Sequence, residues 1–108
     1  MPQLRIYTLR SADALHRYAT IHWSRHVSTF TAFGVTTLGV WTERRDGVHR
    51  LVALVDYMPG ADPDDVTRRI MASPEFAADM ADFDVDDIVD VESLLLDPAS
   101  YSPLQQGN

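Results

Sequence analysis

VTTLGVWTERRDGVHRLVALVDY, Val35–Tyr57, reads as two strands folded back on each other. Val35–Glu43 and His49–Tyr57 are dominated by β-branched, aromatic and aliphatic residues, as strands are. Between them Asp46-Gly47 is a strong hairpin signal, because the tight turn needs positive φ, which glycine adopts at no steric cost. A hairpin at the centre of a 108-residue chain makes the elements on either side the deciding question.

Moving toward the N-terminus, Gly34 closes a helix. Ser11 opens it as N-cap, with Asp13 in the first turn. At about 100° per residue, Leu15, Tyr18, Ala19, His22, His26, Phe30 and Phe33 share one arc of about 120°, while Arg17, Thr20, Ser24, Ser28 and Thr31 take the other side. The apolar stripe is expected to face a sheet, with His22 and His26 in its middle. Before it, Leu4–Leu9 alternates as a strand. Toward the C-terminus, Met58-Pro59-Gly60 breaks the chain and Asp62 caps a second helix with Pro63 at its first position. Ser73-Pro74-Glu75 restarts that helix, which predicts two pieces, 62–72 and 73–82. Val85–Leu96 is the last strand, and Ser100–Asn108 has the composition of a tail.

The order β-α-β-β-α-β with right-handed crossovers gives one α+β domain over residues 1–108: a ferredoxin-like antiparallel sheet with two helices on one face. Its other face is left uncovered. A domain this small buries only about 60 to 70 % of its unfolded surface, so a second copy covering that face, a homodimer, is expected.

Composition narrows the chemistry. Hydrophobic residues make up 45 % and charged ones 23 %, the balance of a globular protein. With no cysteine, disulfides, thiolate metal sites and a cysteine nucleophile are excluded. With no lysine, so are Schiff-base chemistry and a P-loop lysine. Residues 1–69 carry all nine arginines against seven acids, and residues 70–108 carry nine acids and no basic residue. That half repels polyanions, and no basic stripe tracks phosphates, so no nucleic-acid partner is expected. The opening MPQLRIYTLR has no apolar signal core, and no apolar run approaches the roughly 18 residues that cross a bilayer. The expectation is a cytoplasmic protein without a membrane partner.

His22 and His26 are the leading site candidates. Their i, i+4 spacing could hold a metal if Glu92 or His49 arrived through the fold, but no third ligand is nearby in sequence and no metal is expected. They could also be half-buried histidines bonded to backbone or to Tyr18. The third reading is a pocket, with His26 as general base or as donor to a ligand, because two polar rings in an apolar stripe carry a desolvation cost unless something satisfies them. Tyr7 and Trp41 are either cavity-lining aromatics with polar tips or ordinary core. Glu92, among Val89, Val91 and Leu94–Leu96, is either a solvated edge residue or a pocket carboxylate suited to proton transfer. The acidic run Asp82, Asp84, Asp86, Asp87, Asp90, Glu92 lacks the glycine of a calcium loop and reads as a solvated face. There is no Gly-rich phosphate loop, no G-x-S-x-G and no credible Ser-His-Asp grouping.

Several stretches together resemble the NIPSNAP family of the dimeric α+β barrel superfamily. They are Leu4-Arg5-Ile6-Tyr7-Thr8-Leu9, Trp23-Ser24-Arg25-His26, Leu38-Gly39-Val40-Trp41-Thr42, Ser73-Pro74-Glu75-Phe76, Glu92, and Tyr101-Ser102-Pro103-Leu104. They run in order along nearly the whole chain. A histidine often found in the third strand of that family is Ala53 here. The resemblance implies the fold and a dimeric barrel. It implies little about activity, because the wider superfamily spans cofactor-free monooxygenases, isomerases, decarboxylases, haem-using enzymes and proteins without known chemistry.

The leading functional expectation is a cofactor-independent enzyme that moves a proton on a small apolar or aromatic metabolite. His26 or His22 would act, and Tyr7, Tyr18, Trp41 and Glu92 would shape the site. The alternative is a non-catalytic dimer that binds a metabolite or a partner protein, and a third reading is haem binding through a histidine.

Overall fold

In the computed structural model, which describes residues 1–104, the elements follow the expected order. Strand β1 spans Pro2–Leu9, helix α1 Ala12–Arg17, a π-helical turn Tyr18–His22, helix α2 Trp23–Ala32, and strands β2 and β3 Val35–Thr42 and Arg50–Tyr57. Helix α3 follows at Pro63–Met71, α4 at Pro74–Asp79, a 3-10 turn at Val85–Asp87 and strand β4 at Ile88–Leu95. The four strands form one antiparallel sheet in the order β2-β3-β1-β4, the ferredoxin-like α+β arrangement. Of the tail expected at 100–108, residues 105–108 lie outside the described residues.

Capping chemistry sets the helix boundaries. Ser11 Oγ accepts from Ala14 N at 3.1 Å, the Asp62 carboxylate from Asp64 N at 3.1 Å, and Ser73 Oγ from Phe76 N at 3.1 Å. Pro63 and Pro74 take first-turn positions, where a missing N–H costs nothing. Gly34 and Gly47 both have positive φ, at the end of α2 and in the β2–β3 turn.

Strand alternation sorts the sheet. Gln3, Arg5, Tyr7 and Leu9 of β1 and Leu51, Ala53, Val55 and Tyr57 of β3 are buried beneath the helices. Leu4, Ile6, Val52 and Leu54 occupy the opposite face, and the strand register sets Leu94 opposite Leu4 and Trp41 opposite Val52 there. The core of the chain lies wholly on the helix side.

Two elements differ from the sequence reading. The first helix is not one regular cylinder: the π turn at Tyr18–His22 inserts a residue and rotates the buried face. Ala14 and Trp23, outside the expected arc, are therefore buried, while Leu15, Ala19 and Phe33 are only partly so. The last strand begins at Ile88 rather than Val85, because the Asp84 side chain accepts from Asp86 N at 3.0 Å and winds the intervening residues into a 3-10 turn.

Candidate functional site

A cavity of about 380 Å³ opens between the sheet and the helices. Gln3, Arg5 and Tyr7 of β1 line it from the sheet, with Val91 and Ser93 of β4. Tyr18, His26 and Phe30 come from the first helical segment, and Thr67, Ile70, Phe76 and Met80 from the second. Its size is that of a small metabolite's pocket, and its lining is mostly apolar with a few convergent polar groups.

His26 is 1 % exposed and is held on every side. Phe76 stacks on the ring at 5.0 Å and Phe30 at 5.6 Å, and Trp23 meets it edge-on at 5.3 Å. Nδ1 lies 3.0 Å from Asp79 Oδ2. A carboxylate only accepts, so Nδ1 carries the proton and Nε2 presents a lone pair. Nε2 is buried and has no hydrogen-bond partner among the described residues. Burial pushes the His26 pKa below its usual value, against the pull of Asp79 and with the help of His22 and Arg5. A neutral imidazole oriented by a carboxylate, with the second nitrogen unengaged, is a general base in form.

Arg5 is the cavity's other pole. The residue is 8 % exposed, and its guanidinium forms no ion pair among the described residues. Neutral oxygens hold it instead. Nε donates to Gln3 Oε1 at 2.9 Å, Nη1 to the Tyr7 hydroxyl at 3.2 Å, and Nη2 to the Tyr57 hydroxyl at 2.7 Å and to Thr67 Oγ1 at 2.8 Å. Its carbon centre sits 5.5 Å from the centre of the Phe30 ring, the same ring that stacks on His26. Burial opposes the charge on Arg5, but Tyr7 and Tyr57 outweigh it and the net shift is upward. Burial likewise raises the phenols of Tyr7 and Tyr18, so both stay protonated donors.

The expected site residues divide into two groups. Tyr7, Tyr18 and His26 meet at the cavity. His22, Trp41 and Glu92, expected with them, do not line it. The π turn sets His22 against Tyr18 and Phe83, where its Nδ1 donates to the Asp79 carbonyl at 2.8 Å and so steadies the carboxylate-bearing residue of the neighbouring helix. Trp41 is 55 % exposed on the outer sheet face, because the register shift between Thr37 and Gly39 turns Val40 inward instead. Glu92 pairs with Ile6 on the same outer face, while its neighbours Val91 and Ser93 point to the cavity.

Arg5 and Asp79 went unrecognised in the sequence. Arg5 shares the alternating face of Tyr7, a cation where a core residue is due. Asp79 lies three residues beyond Phe76 on one helix face. Neither pattern shows which face is buried. Among the described residues no three of His, Asp and Glu group as a metal set, and no helix is long and apolar enough to cross a membrane.

The model of the NIPSNAP family matches residues 2–103. The chain belongs to the NIPSNAP family. Solved members share its fold. An uncharacterised NIPSNAP domain protein from Burkholderia xenovorans is 20 % identical with a TM-score of 0.69, covering 94 % of this chain and 98 % of that one. A NIPSNAP family protein of unknown function from Agrobacterium tumefaciens is 19 % identical with a TM-score of 0.78, covering 96 % and 92 %. A second from the same species is 15 % identical with a TM-score of 0.77, covering 96 % and 97 %. No curated protein matches the chain. At these identities the neighbours speak for the NIPSNAP fold alone.

Proposed function

We propose that this NIPSNAP protein is a small-molecule-binding enzyme that moves a proton on a small apolar or aromatic metabolite. The observation that carries the reading is His26 on the wall of a metabolite-sized cavity, with its Nδ1 3.0 Å from Asp79 Oδ2. Asp79 fixes the Nδ1–H tautomer, Nε2 takes the proton, and burial keeps the imidazole neutral at pH 7. The cation of Arg5 and the hydroxyl of Tyr7 make one end of the cavity electropositive. A proton shift of this kind needs no resident redox group. The geometry of the carboxylate-oriented imidazole, its second nitrogen unengaged, is what favours catalysis over the non-catalytic alternative. We further propose a homodimer through the uncovered sheet face, where Leu4, Ile6, Val52, Leu54 and Leu94 leave the sheet without a second layer.

The test is deuterium incorporation, followed by proton NMR in D2O, from solvent into a panel of small enolisable ketones and 2-oxo acids with aliphatic or phenyl bodies. At least one member should exchange its α hydrogen faster than in buffer, and His26→Asn should reduce that rate about 100-fold. Exchange that survives His26→Asn unchanged rejects His26 as the base.

A further inference from the structure

The hydrogens around Arg5 can be counted. A guanidinium has five N–H donors, and four of them are engaged by Gln3, Tyr7, Tyr57 and Thr67. The Tyr57 hydroxyl donates to Gln3 Oε1 at 2.8 Å, and this leaves its oxygen to accept from Arg5 and, at 3.1 Å, from the Thr67 hydroxyl. The hydroxyls of Tyr57 and Thr67 have thereby spent their hydrogens within the cluster. Of the guanidinium and hydroxyl hydrogens of this cluster two remain: one on Arg5 Nη1 and the phenolic hydrogen of Tyr7, which accepts from Nη1 and donates to no group among the described residues. Their parent atoms are 3.2 Å apart on the cavity floor, a separation at which both donors reach one anionic oxygen.

Charge points to the same ligand. Arg5 keeps its full positive charge while buried among Phe30, Tyr7 and Tyr57, and a cation withdrawn from water gains most from an anion brought into the same dry site. The ionisable neighbours do not supply one. His26 is neutral, and the exposed Asp64 that borders the cavity forms no ion pair with Arg5. Ile70, Phe76, Met80, Ile88 and Val91 give the cavity its apolar walls, and Gln3, Tyr18, Thr67 and Ser93 add only neutral polar groups.

We infer that the cavity takes a small monocarboxylate with an apolar or aromatic body, its carboxylate received by Arg5 Nη1–H and Tyr7 O–H, an inference that rests on the cavity being a small-molecule site. The four neutral oxygen partners pre-orient the guanidinium, so little side-chain freedom is lost on binding. Phe30, which touches both the guanidinium and the His26 ring, sets the carboxylate apart from the group that reacts.

The probes are benzoate and its uncharged isostere benzamide, titrated into the full chain at pH 7.5 and followed by amide NMR shifts. Benzoate should bind at least tenfold more tightly than benzamide, with the largest shifts along β1. Arg5→Gln should bring the two affinities together, and Arg5→Lys, which keeps the charge, should retain part of the preference. Equal affinities in the wild-type protein overturn the inference without any variant. So does a failure of benzoate to bind at millimolar concentration, or a preference that persists in Arg5→Gln. The two readings fail separately. A benzoate preference that tracks Arg5 in a protein that exchanges no deuterium leaves the anion site standing and removes the proton transfer. Exchange of neutral ketones by a protein that binds benzoate and benzamide equally does the reverse.

Discussion

His26 is a titratable group inside a hydrocarbon stripe, and its depressed pKa has a sign that can be measured. The unfolded chain takes up the proton near pH 6.5, while the folded protein resists it to lower pH. Stability is therefore full above about pH 6.5 and falls as pH drops from there toward the folded-state pKa. Urea midpoints between pH 8 and 5 should show this decline, with a shallower one in His26→Gln; an identical decline in both proteins assigns it to other groups. Asp79→Asn offers the imidazole an amide that can donate to Nδ1, which moves the proton to Nε2 and removes the base. Deuterium exchange should then fall about 100-fold with the fold retained by circular dichroism. Helical spacing was enough to put His26 on the buried face, because it reports which residues share a face. Sequence left Arg5 and Asp79 unnoticed because period-2 alternation in β1 is blind to which side the helices cover, and the partner of His26 arrives from a helix some fifty residues away in the chain.

The elements were largely legible, and the exceptions have physical causes. Proline, serine and aspartate signals marked the split of the second helical segment at Ser73, since caps are local chemistry. The π turn at Tyr18–His22 carries no comparable local mark, and it is what buries Trp23 and carries His22 out of the site. Helix α4 is only one and a half turns long yet holds both Phe76 and Asp79, so its N-cap matters to the site. Ser73→Ala should cost about 1 kcal/mol in chemical denaturation and should also raise the exchange protection difference between α4 and β1 measured by hydrogen–deuterium exchange. A stability unchanged within error excludes that role for the Ser73 hydroxyl.

At the scale of the whole molecule, the family match and the sheet order agree on a ferredoxin-like NIPSNAP domain. The sequence order of elements carried this much, because right-handed crossovers leave few ways to join them. The face bearing Leu4, Ile6, Trp41, Val52, Leu54 and Leu94 is where the proposed dimer forms. Trp41 and Glu92, expected at a pocket, lie on that face, since the strand register and not the residue type selects the side. Sedimentation at micromolar concentration should give twice the chain mass, and Leu54→Glu should shift the protein toward monomer by placing a charge in the centre of the interface. A monomeric wild-type protein rejects the dimer and leaves the cavity within one chain untouched.

A neutral, carboxylate-oriented His26 with a lone pair on Nε2 is the centre of the proposed chemistry. Imidazole nitrogen-15 NMR of the intact protein, titrated from pH 8 to 5, reads the tautomer and the pKa together. The Nδ1–H tautomer, titrating below about 6.5, is the predicted result; an Nε2–H tautomer, or an imidazole already protonated at pH 7, contradicts it.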